Sequence, residues 1–224
     1  MGTDVQDVDK TSALTILTME HNTLQMIRTA TITDATGRAG HLLTTISASM
    51  IALGFVAQVV PLTVLLTLML VIFTALFLIG LATLFRTVEL TIEDVQAGLG
   101  INRIRAVYAE LEPSTRHVFV RQLHDDTLGV EADGGQTGWR KDRRPRLIGT
   151  ALGVAGLVNL VNGLTAAVIV GAAAGLLGLG LAWSIVIGAV AAVALISGFG
   201  IALGRIGRRG IAPITTRYPR NHPN

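Results

Sequence analysis

The chain has 224 residues, of which 50% are hydrophobic and 4% aromatic, and its formal net charge is +3. The apolar residues are therefore mainly Leu, Val, Ile, Ala and Gly, which is typical of lipid-facing helices rather than of a water-soluble core. The chain contains no cysteine, which excludes disulfides, thiolate metal sites and cysteine nucleophiles.

Two long stretches contain no charged residue and no histidine. They cover residues 42–85 and 147–204, and each is at least twice as long as the roughly 20 apolar residues that one membrane-spanning helix needs. Each stretch is therefore predicted to fold into a hairpin of two spans. The fold class that follows is an all-α integral membrane protein with four transmembrane helices in two hairpins and with cytoplasmic helical extensions.

A proline divides the first stretch. Pro61 lacks a backbone N–H and suits the first turn of a helix, so the first hairpin is predicted to consist of spans 42–60 and 61–85. The connection between these spans is then a very tight turn.

Glycines divide the second stretch. Its spans are predicted at residues 147–170 and 181–203, with the glycine-rich residues 171–180 as the turn. Small residues four positions apart let helix backbones approach closely, which favours a compact bundle. Three pairs have this spacing: Gly149 and Gly153, Gly171 and Gly175, and Gly200 and Gly204.

The chain before the first span is polar. Residues 1–10 are acidic and lack an apolar period, which predicts disorder, and they lack the basic region of a signal peptide. Residues 11–41 are predicted to form a cytoplasmic helix that ends or bends near Gly37 and Gly40. One face of this helix carries an apolar stripe: Leu14, Leu17, Leu24 and Ile27.

Residues 86–146 form a polar central segment. Helix is predicted to continue out of the second span, with a break or kink near two glycines, Gly98 and Gly100. Two apolar stripes support it: Val88, Ile92, Val95 and Leu99, then Ile101, Ile104, Tyr108 and Leu111.

A proline ends this helical region. Pro113 disfavours helical geometry in the residue before it, so the helix is predicted to end at Glu112. A short helix is then predicted over residues 114–124. Residues 127–138 are rich in glycine and predict a loop.

Basic residues flank the second hairpin on both sides. They are Arg140, Lys141, Arg143, Arg144 and Arg146 before it, and Arg205, Arg208 and Arg209 after it. The positive-inside rule predicts that both flanks lie on the cytoplasmic side of the membrane, together with both termini and a basic tail at 205–224. The cluster at 140–146 is expected to contact lipid headgroups rather than nucleic acid, because the sequence has no phosphate-binding loop.

Polar residues inside the spans are candidates for contacts between helices or for a pore lining. Asn159, Asn162 and Thr165 fall at three-residue steps on one helical face. Thr45 and Ser49 are four residues apart on another. Because polar groups avoid hydrocarbon, both faces are expected to meet neighbouring helices, another subunit or water.

Charged residues outside the spans are candidates for cytoplasmic interaction: Asp34, Arg38, Arg103 and Arg105. Asp34 and Arg38 form an i,i+4 acid-base pair. The run His124-Asp125-Asp126, with His117 nearby, suggests metal ligands, but no matching pair elsewhere completes a site. We therefore predict no metal, no cofactor and no catalytic residue, and an enzyme is disfavoured because no charged residue, histidine or cysteine lies in a span.

Two blocks of sequence carry a resemblance. Residues 31–40 have the sequence TITDATGRAG and residues 100–105 the sequence GINRIR. Over residues 29–113 the chain resembles an uncharacterised family of actinobacterial membrane proteins, which implies the four-span plan. The first hairpin, with an acid-base pair on the helix that enters it, is also similar to the SLATT and Pycsar-type transmembrane effectors of bacterial defence, which implies assembly in the membrane. This chain differs from them by its second hairpin and by having no recognisable nucleotide-sensor domain.

Two functions are compatible with these features. The first is a non-enzymatic homo-oligomer in the lipid bilayer, channel-like or effector-like. The alternative is a membrane anchor or scaffold that docks a soluble cytoplasmic protein through the central segment. An exposed apolar patch would favour the scaffold, whereas a continuous polar axial cavity would favour the pore. The patch would consist of Ile101, Ile104, Tyr108 and Leu111.

Overall fold

The computed structural model of the chain describes residues 3–126, 130, 153–211 and 215–219, and it describes only the backbone of residues 3–9, 208 and 211. Within this part of the chain all regular structure is helical, which confirms the predicted all-α class. The α-helices are α1 (Thr3–Val56), α2 (Leu62–Leu111), α3 (Val154–Leu176) and α4 (Leu181–Ile211). A short 3₁₀ helix, Pro113–Val118, follows α2.

Each of these four α-helices is long and apolar enough to cross a membrane. Large apolar side chains remain on their surface, for example Ile51, Phe55 and Val193, which are 63%, 69% and 65% exposed. In water such exposure is unfavourable by about 25 cal/mol per Å² of apolar surface, whereas in hydrocarbon it is not. The fold is therefore that of a multi-pass membrane protein.

The chain divides into two compact units. Unit 1 comprises residues 1–32, 91–145 and 209–224, and unit 2 comprises residues 33–90 and 146–208. Unit 2 contains both charge-free stretches of the sequence, while unit 1 contains most of the charged residues.

The core of unit 2 joins the two hairpins into one bundle. A first cluster packs Leu42 of α1, Leu84 of α2 and Val158 of α3 together with Phe199 and Leu203 of α4. Leu84 and Val158 are only 0% and 1% exposed. A second cluster packs Leu53, Phe73 and Leu76 against α3. All four helices therefore contribute to the packing of unit 2.

Helices α3 and α4 approach each other through small residues. A Cβ atom added to Gly188 would lie 2.6 Å from the backbone oxygen of Ala167, and one added to Gly171 would lie 3.3 Å from that of Ser184. A Cβ atom on Gly163 would overlap Ile196. Of the predicted glycine pairs, Gly171 belongs to this contact, whereas Gly204 faces open space and Gly149 lies outside the described residues.

The first hairpin turns close to the predicted position. Helix α1 ends at Val56, and α2 begins at Leu62, directly after Pro61. The carbonyl of Pro61 accepts a hydrogen bond from the backbone N–H of Leu65 at 3.1 Å, as in the first turn of a helix. The first span is therefore shorter than the predicted 42–60, because residues 57–60 form the turn.

The turn of the second hairpin is shorter than the predicted 171–180. Helix α3 continues to Leu176, and α4 begins at Leu181. Gly178 has φ +83°, which favours glycine, and the N–H of Leu179 bonds back to Ala174 at 3.1 Å. The prediction placed the turn too early because it counted Gly171 and Gly175, whose missing side chains serve packing instead.

Neither predicted glycine break interrupts a helix. Helix α1 runs through Gly37 and Gly40, and its backbone is helical from Thr3, inside the segment predicted to be disordered. Helix α2 runs through Gly98 and Gly100. A Cβ atom at Gly98 would lie 2.9 Å from Val130 Cγ1, and one at Gly100 2.8 Å from Leu24 Cδ1, so these two glycines make room for neighbours.

In unit 1, α1 pairs with α2 through a stripe that differs from the predicted one. Leu14 and Ile27 are 43% and 39% exposed. The more buried positions instead alternate at four and three residues, which is the spacing of helices that pack along their length: Leu17, His21, Leu24, Arg28 and Thr31. The sequence did not reveal this stripe because three of its five members, a histidine, an arginine and a threonine, are not apolar.

The segment after α2 is only partly as predicted. Helix α2 ends at Leu111, before Pro113, which confirms the effect assigned to that proline. The helix predicted over 114–124 is wrong beyond Val118, because the chain becomes extended at Phe119. Of the predicted loop at 127–138, Val130 is described and the rest lies outside the described residues.

Candidate functional site

The polar stripe of α3 lies inside unit 2. Asn159, Asn162 and Thr165 are 7%, 2% and 3% exposed. The side-chain amide of Asn159 donates to the carbonyl of Ile196 on α4 at 3.0 Å, and Thr165 donates to Val161 of its own helix at 2.9 Å. In the single chain this stripe therefore connects helices and does not line an open path.

Asn162 fits against a gap on α2. A Cβ atom at Gly80 would overlap the Oδ1 atom of Asn162, so glycine lets the amide sit directly on the α2 backbone. Asn159 Oδ1 has no hydrogen-bond partner among the described residues, although it is buried. An unsatisfied buried acceptor destabilises a fold by about 1–3 kcal/mol. The side-chain N–H of Asn159 therefore stabilises the packing of α3, while its Oδ1 atom opposes it.

Within the described part of the chain, Thr45 and Ser49 bond to their own helix and not to another one. Their hydroxyl groups donate to the carbonyls four residues earlier, those of His41 and Thr45, at 2.8 Å each. The Thr45 side chain is exposed on the surface of α1. The polar surface of the first span is therefore open to a second molecule.

A second surface of α1 combines small and apolar residues, and we call it the outer face. Its members recur at steps of three, four or seven and so share one side of the helix, opposite the buried stripe: Met19, Thr23, Met26, Ala30, Gly37 and Thr44. All are exposed, and Met19 and Met26 are 66% and 65% exposed. A Cβ atom at Gly37 would meet nothing within 4 Å.

Ion pairs mark the charged end of unit 2. Arg38 bonds to Asp34 at 2.9 Å, which confirms the predicted i,i+4 pair, and Arg86 lies 4.0 Å from Asp34. Arg86 also pairs with Glu89 at 3.0 Å. Exposed pairs of this kind contribute about 0–1 kcal/mol each, so they are better suited to fixing the charged end of the spans than to chemistry.

Arg103 and Arg105 both have partners inside unit 1. Arg103 bonds through Nε to Asp125 at 2.9 Å and donates to the carbonyl of Thr215 at 2.6 Å. Arg105 donates to Asn102 Oδ1 at 3.0 Å, and Asn102 in turn donates to the carbonyl of His124 at 3.1 Å. The two arginines predicted as cytoplasmic interaction residues thus organise their own chain.

Asp125 is the centre of this arrangement. Its side chain is 0% exposed, and besides Arg103 it accepts hydrogen bonds from the backbone N–H groups of Arg217 at 2.9 Å and Tyr218 at 2.6 Å. Burial alone would raise the pKa of Asp125. The two backbone N–H groups and Arg103 outweigh that effect and hold the pKa below its ordinary value of 3.8, so the carboxylate stays charged at neutral pH.

The sequence drew attention to Asp125 without indicating its role. The run around it suggested metal ligands, but no group of three such residues that could hold a metal ion occurs in the described ranges. Besides Arg103, its partners are backbone groups about ninety residues away, which leave no side-chain signature. The one sequence hint is Pro219, which biases Tyr218 towards extended backbone.

Two further predictions concern other parts of the chain. The basic cluster Arg140, Lys141, Arg143, Arg144 and Arg146 lies outside the described residues. The apolar patch that would have favoured a scaffold is largely buried, since Ile101 and Ile104 are 2% and 6% exposed. Leu111, at 49%, is exposed at the end of α2. This burial weighs against docking of a soluble protein on that patch.

Comparisons with protein families, with curated proteins and with solved structures found no match to this chain. The fold and the contacts described above are therefore the basis for a functional hypothesis.

Proposed function

We propose that this chain is a non-enzymatic, multi-pass protein of the bacterial plasma membrane that associates with copies of itself into a channel-like or membrane-effector assembly. The observation that carries the proposal is the outer face of α1. The resemblance of the first hairpin to SLATT and Pycsar-type effectors agrees with it, because those proteins are thought to assemble in the membrane.

The part of the outer face in unit 1 is an exposed, uncharged surface that another helix could cover. Unit 1 carries charged residues on every described element, as in a unit surrounded by water. Yet Met19, Thr23, Met26 and Ala30 present no charge, and the two methionines are about two-thirds exposed. A helix face of this kind is normally covered by another helix. A second copy of α1 would cover it with the same residues.

The part of the outer face in unit 2 suits close approach of that second helix. Gly37 has no neighbour within 4 Å, and Thr44 adds a small polar side chain beyond it. Helices in membranes associate mainly through small residues, because lipid removes the hydrophobic driving force for other contacts. Such an arrangement would bring Thr44 and Thr45 of several copies near one axis, where they could line a polar path.

The proposed orientation has both termini and unit 1 in the cytoplasm. Arg205 and Arg209 follow the apolar part of α4, and the sequence places a larger basic cluster before α3. Neither hairpin turn carries a charge. Trp183, 64% exposed beside the second turn, suits the interface on the opposite side of the membrane, where tryptophan is enriched.

Cysteine cross-linking in native membranes tests the assembly. The chain has no cysteine, so Met26→Cys introduces a single thiol on the outer face. If two copies of α1 meet there, mild oxidation should convert most of the chain into a disulfide-linked dimer, because facing positions come within the 4.4–6.8 Å Cα distance that a disulfide needs. The product is measured on a non-reducing gel.

The matched control for this experiment is Glu20→Cys. Glu20 is also exposed on α1, but it lies about 120° around the helix from Met26 at 100° per residue. It should give little dimer under the same oxidation. Equal cross-linking of the two variants, or none for Met26→Cys, would contradict a specific contact through the outer face.

A further inference from the structure

In unit 1 the segment 215–219 is held through its main chain. Asp125 accepts hydrogen bonds from the N–H groups of Arg217 and Tyr218, and its own N–H donates to the carbonyl of Tyr218 at 3.2 Å. Arg103 donates to the carbonyl of Thr215 at 2.6 Å. Each of these contacts is a hydrogen bond to a main-chain N–H or C=O group of the segment, as in the recognition of an extended peptide.

Side chains of the segment add little to this recognition. Thr215, Thr216 and Arg217 are exposed, and the Tyr218 hydroxyl bonds to Glu110 at 3.0 Å on the surface. The receiving side is different: the Asp125 carboxylate is fully buried and fixed by Arg103. A buried, charged group thus holds a segment whose own side chains are mostly exposed.

We propose that Asp125 and Arg103 form a docking site for an extended peptide main chain, and that residues 215–219 are its resident and exchangeable occupant, a strap. The strap follows the end of α4, which unit 1 also holds: Gln96 donates to the carbonyl of Gly210 at 3.2 Å, and a Cβ atom on Gly210 would lie 2.9 Å from Ile92. The contacts of Gly210 and the binding of the strap are thus two separate attachments of this end of the chain to unit 1, and release of the strap would leave only the first.

Hydrogen exchange of the full-length chain in nanodiscs tests whether Asp125 holds the strap. The amides of Arg217 and Tyr218 should be protected in the wild type and should exchange at least about tenfold faster in Asp125→Asn, because a neutral amide accepts hydrogen bonds more weakly than a carboxylate and offers one acceptor oxygen instead of two. Glu110→Gln, which changes only the exposed contact of the Tyr218 hydroxyl, should leave their exchange within about twofold of the wild type. Unprotected amides in the wild type, or equal rates in Asp125→Asn, would overturn the proposal.

A second experiment releases the strap from the docking site without changing Asp125 or Arg103. Arg217→Pro removes one N–H donor from the strap, whereas Arg217→Ala keeps it. A labelled peptide of residues 212–224 should bind saturably to Arg217→Pro at concentrations at which it does not bind Arg217→Ala. The same peptide methylated on the Tyr218 amide nitrogen should not bind, nor should the normal peptide bind when Asp125→Asn is added to Arg217→Pro.

The outcomes of the peptide experiment are decisive in both directions. Binding that requires the peptide N–H and Asp125 supports an exchangeable strap. Absence of binding to Arg217→Pro, while exchange shows that the strap has been released, would overturn the docking site. Equal binding of the methylated peptide would overturn main-chain recognition.

Discussion

Replacing Gly188 by valine is expected to destabilise unit 2 by about 1–3 kcal/mol, the range found when side chains are forced into a packed interface. The first atom of any side chain at Gly188 would lie 2.6 Å from the backbone oxygen of Ala167. A backbone atom cannot rotate away, so α3 and α4 would have to separate. Thermal unfolding of the purified protein in mild detergent, followed by circular dichroism, measures the effect as a lower midpoint.

The matched control is valine at Gly198, which lies on the same helix. A Cβ atom there would meet nothing within 4 Å, so only the small difference in helix propensity remains, a few tenths of a kcal/mol in favour of valine. The midpoint of Gly198→Val should equal or slightly exceed that of the wild type. If both variants unfold at the wild-type midpoint, the close packing of α3 on α4 is wrong.

In the proposed assembly, Gly37→Leu is expected to weaken the contact between copies at least about tenfold, which corresponds to about 1.4 kcal/mol. The single chain has open space at Gly37, and leucine is a better helix former than glycine, so the fold of one chain should keep its stability. A neighbouring α1 that relies on close approach at Gly37 would be pushed away. Native mass spectrometry from nanodiscs gives the oligomer distribution, and planar-bilayer recordings show whether unitary currents disappear with it.

Gly54→Leu is the control for this second variant. Gly54 also lies on α1 and has nothing within 4 Å, but it is about 100° away from Gly37 around the helix. Its oligomer distribution and its currents should match the wild type. Loss of association in both variants would indicate a general effect of bulk on α1, and loss in neither would remove the outer face as the contact surface.

Much of the fold could be predicted because hydrocarbon imposes a simple rule. A charge-free stretch at least twice as long as one span has to form a hairpin of two helices. Pro61 indicated the position of the turn in the first hairpin. The glycines were harder, because glycine at Gly178 permits a turn while glycine at Gly188 permits a helix contact. Only the packing partner distinguishes these two roles, and a single sequence does not contain it.

The candidate sites show the same limit. The stripe of Asn159 and Asn162 was correctly placed on one face of a helix, but its burial against α2 and α4 depends on which helices meet. If planar-bilayer recordings were made on Asn159→Leu or Asn162→Leu, a loss of current would not by itself indicate a pore lining. These substitutions would also disturb the packing of α3 in unit 2. The contact of Asp125 with Arg217 and Tyr218 was missed, since it joins a side chain to distant backbone groups.

Labelling of single cysteines in intact cells tests the central claim most directly, namely the proposed orientation of two membrane-crossing hairpins with both turns outside the cell and Met26 in the cytoplasm. Gln58→Cys and Leu177→Cys place a thiol in each turn, and Met26→Cys places one in unit 1. A membrane-impermeant maleimide should label both turns from outside and should label Met26→Cys only after lysis. Labelling of Met26→Cys in intact cells, or of either turn only after lysis, would contradict the account.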